Sequence, residues 1–290
     1  MTATAQPSDK TVLITGTSSG IGLASAIAAA QAGLRTVATV RDPERADSLR
    51  EAAAKAAVVL DIRRLDVTDP ASVAECVDGV LETYGRLDAL VNNAGAAHVG
   101  TVELETIEAV RATMEVNFFG VVVVTRAAMP HLRASRGRLI TITSVGGVVG
   151  QPFNEAYCAA KFAVEGFMES LAPVAAEVGV TVSVIEPGAV ASAFVANAKV
   201  DPQAMIAAAG PYAPAMLAYL ARVTSQFSTA AQAPAQTAVF VIHALTADPP
   251  VFRIQTSDSA RQFVGTKLAD LDGAAVQSLT RTWVTGKSAV

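Results

Sequence analysis

The sequence predicts an α/β fold built on a doubly wound, parallel sheet, and three observations carry this. Short apolar, β-rich runs alternate with helical stretches through the first two thirds of the chain, which implies right-handed βαβ units and a sheet covered on both faces. The first run, Thr11-Val12-Leu13-Ile14, stops at a glycine-rich turn, as a buried parallel strand does. No low-complexity linker and no internal repeat interrupts the 290 residues, so the reading is one domain.

The elements follow in order. A helix over 21–32 closes at Gly33, a C′ glycine. Residues 36–40 read as the second strand. Asp42-Pro43 supplies an N-cap and an N1 proline, opening another helix. A strand near 61–65 and a helix over 70–84 repeat the pattern, followed by strand 89–91 and a long helix over 107–132. Residues 138–143 form the fifth strand, 155–178 a helix and 181–185 the sixth strand. The stretch 189–233 is rich in Ala and Pro, carries Met205, Tyr212, Met216, Tyr219 and Phe227, and has few charges. It reads either as apolar helices packed on the core or as a mobile flap over a substrate pocket. Beyond it, 235–246 is helical, 252–256 is a possible seventh strand, and the rest is weakly patterned.

Bulk properties exclude several classes. At 51% hydrophobic and 17% charged residues, the composition is that of a compact globule. A net charge of −4 argues against a nucleic-acid partner, which needs a basic face. Cys76 and Cys158 have no metal-ligand spacing, and His98, His131 and His243 form no metal motif, so no metal is expected. Residues 1–10 lack the apolar core of a secretory signal, and no apolar run nears the roughly 20 residues of a membrane helix. The expectation is a cytoplasmic chain with no membrane partner.

The turn after the first strand reads Thr15-Gly16-Thr17-Ser18-Ser19-Gly20-Ile21-Gly22 and opens directly into a helix. Glycines let the backbone turn tightly and approach a pyrophosphate, which then sits on the free N–H groups of the helix N-terminus. The spacing differs from the G-x-G-x-x-G fingerprint. It resembles instead the Thr-Gly-x-x-x-Gly-Ile-Gly signature of the short-chain dehydrogenases/reductases, soluble type, which have a Rossmann-type fold. Further motifs lie in the family's order: Asp66-Val67 after the third strand, Asn92-Asn93-Ala94-Gly95 ending the fourth, and Pro187-Gly188 ending the sixth. The resemblance spans about residues 11–192. It implies a dinucleotide held by Gly16, Ser18, Ser19, Gly20, Ile21 and Gly22, with Asp66 and Val67 at the adenine. It also places Asn93, Ala94 and Gly95 along the cleft, and Pro187, Gly188, Val190 and Ser192 beside the nicotinamide. Ser192 stands near the family's threonine. On this reading 11–188 is the cofactor and catalytic core, 189–233 the substrate flap, and 234–290 a helix and strand completing the domain.

An NAD site places an acidic side chain at the end of the second strand, whereas an NADP site needs a cation there. The acidic position falls on Val40, and the next residue is Arg41, whose planar fork suits a phosphate. Asp42 is occupied as an N-cap. The expected cofactor is therefore NADP(H).

Tyr157 and Lys161 stand four residues apart on one helix face, and Ser144 ends the fifth strand, where parallel sheets place ligands. Hydride transfer to a carbonyl creates an alkoxide that must be protonated, and a phenol is a poor acid–base group at neutral pH. A neighbouring ammonium and an oxidised nicotinamide both favour phenolate and lower its pKa. The serine hydroxyl donates to the substrate oxygen as charge develops. The resemblance assigns Ser144, Tyr157 and Lys161 these roles, gives Lys161 the nicotinamide ribose as well, and matches Asn117 to an asparagine that anchors a relay water. Cys158 reads as a small core side chain. The leading expectation is a carbonyl reductase or secondary-alcohol dehydrogenase for a mostly apolar small molecule; the stretch 40–43 resembles the hydroxysteroid and retinol branch. Rivals are a nucleotide-sugar epimerase or dehydratase of the extended relatives, and a silent dinucleotide-sensing regulator. Relatives associate through the helices carrying Asn117 and Tyr157, which implies a homodimer or homotetramer.

Overall fold

The computed structural model describes residues 9–192 and 201–285. Residues 193–200, part of the expected flap, lie outside the described residues. The strands are β1 (Thr11–Ile14), β2 (Arg35–Val40), β3 (Asp61–Arg64), β4 (Ala89–Asn92), β5 (Arg138–Ile142), β6 (Thr181–Glu186) and β7 (Arg253–Gln255). They form one sheet in the order β3-β2-β1-β4-β5-β6-β7, every neighbouring pair parallel. The order reverses between β1 and β4. A crevice opens at the carboxyl ends of the strands at such a switch point.

Successive strand residues point to opposite faces, so each strand feeds two cores. Leu13, Val37, Leu90 and Leu139 pack with Val124 and Met168 on one side. Val12, Ile14, Ala38 and Ile140 pack with Ala26, Leu49 and Val241 on the other. The first face is covered by α3 (Pro70–Tyr84), α5 (Gly120–Ser135) and α6 (Glu155–Ala176), and the second by α1 (Gly20–Gln31), α2 (Asp47–Lys55) and α9 (Pro234–Thr246).

Two details differ from the sequence expectation. Asp42 does cap, accepting from Glu44 N at 3.0 Å, but it opens only a 3-10 turn, Pro43–Arg45. The chain turns there to bury Ala46, and α2 starts afresh at Asp47 with Leu49 and Ala53 inward. The expected long helix is α4 (Ile107–Met114) running into α5 through a π-helical segment, Glu115–Phe119.

The described part of 189–233 contains helices packed on their neighbours. α7 (Pro202–Ala208) and α8 (Ala213–Ala230) bring Ala209, Met216 and Tyr219 against Phe153 at the start of α6. The weakly patterned end holds α10 (Asp258–Ala269) and α11 (Ala274–Thr285). Ser257 caps α10 by accepting from Ala260 N at 3.1 Å. α11 turns Val276, Thr280 and Trp283 inward, and Trp283 stacks on Phe263 of α10.

Candidate active site

The glycine turn occupies the carboxyl end of β1. Gly16 and Gly20 have φ of +68° and +59°, a region that L side chains rarely adopt. A Cβ on Gly22 would lie 2.3 Å from Gly16 O and 2.4 Å from Asn93 Nδ2, so only glycine lets α1 come this close. Asn93 holds the turn from the β4 side, donating Nδ2 to Thr15 O at 2.8 Å and Gly16 O at 2.9 Å. The Thr15 hydroxyl accepts from Asn93 N and Ala94 N, both at 3.0 Å. That locking role of Thr15 was not singled out from the sequence, although a buried hydroxyl at a strand end is the kind of signal that could have revealed it.

The first turn of α1 contains no acidic residue, and its N-cap Ser19 makes no side-chain capping bond. The free N–H groups there and the side-chain-free approach at Gly16 fit a pyrophosphate. Beside them, Thr17 N and Oγ1 donate to Thr39 O at 2.9 and 3.1 Å, which ties the turn to the end of β2. Val40 is turned into the core, while Arg41 is exposed. Burial pushes the Asp66 carboxyl up, but Thr68 donates to it through N and Oγ1, and with Arg41 and Arg64 nearby it ends below its usual value. The Thr68 bonds engage Oδ1.

The reaction residues meet at the ends of β5 and β6. Ser144 follows β5 by two residues, and its Oγ accepts from Gly146 N at 3.0 Å. Tyr157 lies in the first turn of α6 and hydrogen-bonds with Ser144. Lys161, one turn further and buried, donates Nζ to Ile142 O at 3.3 Å and lies 5.9 Å from the centre of the Tyr157 ring. A Cβ on Gly95 would be 3.6 Å from that Nζ and 2.9 Å from Asn117 Oδ1, so Gly95 lets β4 close onto both.

Asn117 sits inside the π segment, fully buried. Its Nδ2 donates to Ala96 O and Thr113 O, both at 3.0 Å, and its Oδ1 accepts from Ala96 N at 3.2 Å. Its carboxamide therefore straps the loop after β4 to the widened helix turn. Pro187 O accepts from Val145 N at 3.0 Å, and Val190 is bridged to Gln232, so the segment after β6 is held on both sides. Ser192 lies near the glycine turn: a Cβ on Gly20 would come within 3.1 Å of its own Cβ.

Burial pushes the Tyr157 phenol up to about 12, opposed by the bond with Ser144. Burial also pushes the Lys161 ammonium down to about 8, opposed by the charge of Glu165. The desolvation that crowds the pair together costs both charged forms, so the lysine alone does not make a phenolate. Cys158 is buried and its thiol is pushed up to about 11 by that burial, in keeping with a core side chain. Among the described residues no group of three His, Cys, Asp or Glu side chains could hold a metal, and no helix is long and apolar enough to cross a membrane.

A seven-stranded parallel sheet whose switch-point crevice joins a glycine-turn helix to a Ser–Tyr–Lys cluster defines a dinucleotide-dependent oxidoreductase fold. The chain belongs to the short-chain dehydrogenase/reductase family: the model for short chain dehydrogenases matches residues 10–203. It is 37% identical to human 17-beta-hydroxysteroid dehydrogenase type 1 over 91% of this chain and 82% of that protein. It is 34% identical to bovine retinol dehydrogenase 8, over 91% and 87%. A short-chain dehydrogenase structure from Streptomyces avermitilis superposes with a TM-score of 0.75 at 31% identity, covering 97% of this chain and 99% of the other. The cofactor class is thereby a nicotinamide dinucleotide.

Proposed function

We propose that the chain interconverts a ketone and a secondary alcohol on a mostly apolar small molecule, using NADP(H). The observation that carries this reading is the convergence of Ser144, Tyr157 and Lys161 beside the glycine turn, at the carboxyl ends of β4 to β6. Two relatives named for a hydroxysteroid and for retinol support an apolar substrate. So does the apolar packing of α7 and α8 against Phe153. Arg41 supports the phosphorylated dinucleotide, because Val40 is turned inward and Asp42 is engaged with Glu44 N.

When bound, the dinucleotide supplies or accepts the hydride. The chain's own residues then act on the substrate oxygen. Ser144 Oγ donates to it as negative charge grows, and Tyr157 gives it a proton. The raised phenol suits that task, since it remains protonated throughout the neutral range. Lys161 supplies the nearby positive charge that favours the resulting phenolate, and binds the ribose. Asn117 acts by shape, because its carboxamide bonds hold the π segment and the loop carrying Ala96 together.

The test is a panel of steroid-like, retinoid-like and aromatic ketones followed by NADPH absorbance. Reduction of members of that panel is the expected result. Its pH profile should fall as Lys161 loses its proton near 8 and show no Tyr157 limb below about pH 9. A panel that gives no turnover, with NADPH shown to bind, overturns the reading.

A further inference from the structure

One helical turn beyond Lys161 lies a buried charge cluster that the reaction above does not use. Glu165 is 4% exposed, and Glu186, the last residue of β6, is fully buried. Arg253, which opens β7, faces both. Its guanidinium lies 3.2 Å from Glu165 Oε2 and 2.8 Å from Glu186 Oε1, and 3.1 Å from the exposed Glu169. Two buried carboxyl groups thus share one guanidinium, where an uncompensated carboxylate is costly.

The two carboxyl groups differ in their partners. Glu186 Oε2 accepts from Gln255 Nε2 at 3.0 Å, and its Oε1 forms an ion pair with Arg253 Nε at 2.8 Å without hydrogen-bond geometry. Glu165 Oε1 instead meets Thr143 Oγ1 at 2.5 Å, and that same Oγ1 lies 3.0 Å from Ile185 O. A threonine hydroxyl has one hydrogen. When it goes to the Ile185 carbonyl, the contact with Glu165 is a hydrogen bond only if Glu165 brings the hydrogen. Burial also pushes this carboxyl up to about 7, with the Glu186 charge adding to it and Thr143 and Arg253 opposing.

Glu165 touches the chain on both sides of Ser144. Thr143 precedes that serine, and a Cβ on Gly147, which follows it, would lie 3.0 Å from Glu165 Cγ. The charge of Glu165 also favours the protonated form of Lys161. We propose that Glu165 is a positioning residue: protonated in the folded chain near neutral pH, it seats Ser144 through Thr143 and Gly147. On releasing its proton to solvent, its carboxylate keeps Lys161 cationic. Only the use of Lys161 in turnover rests on the function proposed above. The charged groups facing Glu165 are Lys161 and Glu169 on its own helix, Glu186 on β6 and Arg253 on β7, and Thr143, the residue after β5, contributes its hydroxyl.

The test is carbon NMR of the cofactor-free full chain labelled at glutamate Cδ and lysine Cε. One glutamate resonance, absent in Glu165→Gln, should titrate near 7 instead of the ordinary 4.5. The Lys161 resonance, assigned by its absence in Lys161→Met, should titrate lower in Glu165→Gln by about half a unit, roughly threefold in proton affinity. A Glu165 carboxyl that titrates with the ordinary glutamates, or a Lys161 titration unmoved by Glu165→Gln, overturns the proposal. Should Glu165→Gln not fold, Thr143→Val leaves the buried cluster of Glu165, Glu186 and Arg253 in place: the Glu165 titration should still lie well above 4.5, and one at that ordinary value counts against the proposal. In turnover, the alkaline limb of kcat should move down with the Lys161 resonance. A resonance that moves while the limb stays sinks the catalytic use of Lys161 and leaves the coupling standing.

Discussion

Around the glycine turn after β1 the cleft is shaped by space: a Cβ on Gly16 would lie 2.8 Å from Ala94 Cα, and one on Gly22 closer still to Gly16 O. At the ends of β5 and β6 it is shaped by buried charge. Tyr157 is pushed up to about 12, Lys161 down to about 8 and Glu165 up to about 7, each chiefly by burial. The two regions therefore fail differently. Steric fit on the dinucleotide side is lost when an atom is added and is insensitive to pH. On the reaction side, the loss of one polar atom is enough, and pH sets the working state.

The comparison breaks most visibly at Tyr157. Tyr157→Phe removes one hydroxyl from a half-buried position, so the chain should fold and bind NADPH as before. Ketone reduction should fall by about a hundredfold to ten-thousandfold, the usual worth of a positioned proton donor. Near-normal turnover on a verified substrate would remove Tyr157 from the mechanism.

On the other side the corresponding change is an addition. Gly22→Ala places a methyl against Gly16 O and Asn93 Nδ2, which costs about 3 kcal/mol if the turn must shift. Thermal unfolding should show the loss, and dinucleotide affinity should drop at every pH. An alanine variant with wild-type stability and affinity would mean the turn yields freely.

A smaller effect sharpens the contrast within the dinucleotide side, where one charge is expected to matter. Arg41→Ala should weaken NADPH by about tenfold to a hundredfold, the worth of a charge-assisted contact of about 1.5–3 kcal/mol, and leave NADH unchanged. Titrating both cofactors into both proteins decides it, and equal wild-type affinities end the claim.

The smallest effect serves as the control for glycines. Gly166 lies within α6 with nothing within 4 Å of an added Cβ. Gly166→Ala should raise stability by about 0.5–1 kcal/mol through helix propensity alone, with turnover unchanged. Destabilisation measured by denaturant would show a crowding at this position that the structure lacks.

Much of this was legible before folding was considered. Helix α3 matches its expected bounds because Asp69-Pro70 and Gly85 mark both ends, the aspartate accepting from Ala71 N and Ser72 N. Asp42 and Pro43 carry the same signal, yet only a 3-10 turn follows, because the burial of Ala46 outweighed the local cap. Ends α10 and α11 were illegible because their inward faces make sense only against one another, α8 and the Val145, Val148 and Val149 side chains after β5.

The sequence by itself determined the strand–helix alternation, the glycine turn, and the spacing that puts Tyr157 and Lys161 on one helix face. These are local matters of backbone geometry and side-chain periodicity. Only the tertiary structure decided the charge states. Thr143, Glu165, Glu186 and Arg253 lie up to 110 positions apart in the chain and meet only where β5, β6, β7 and α6 pack together. Whether such groups keep or lose a proton depends on desolvation and on partners brought from distant strands, and spacing along the chain encodes neither.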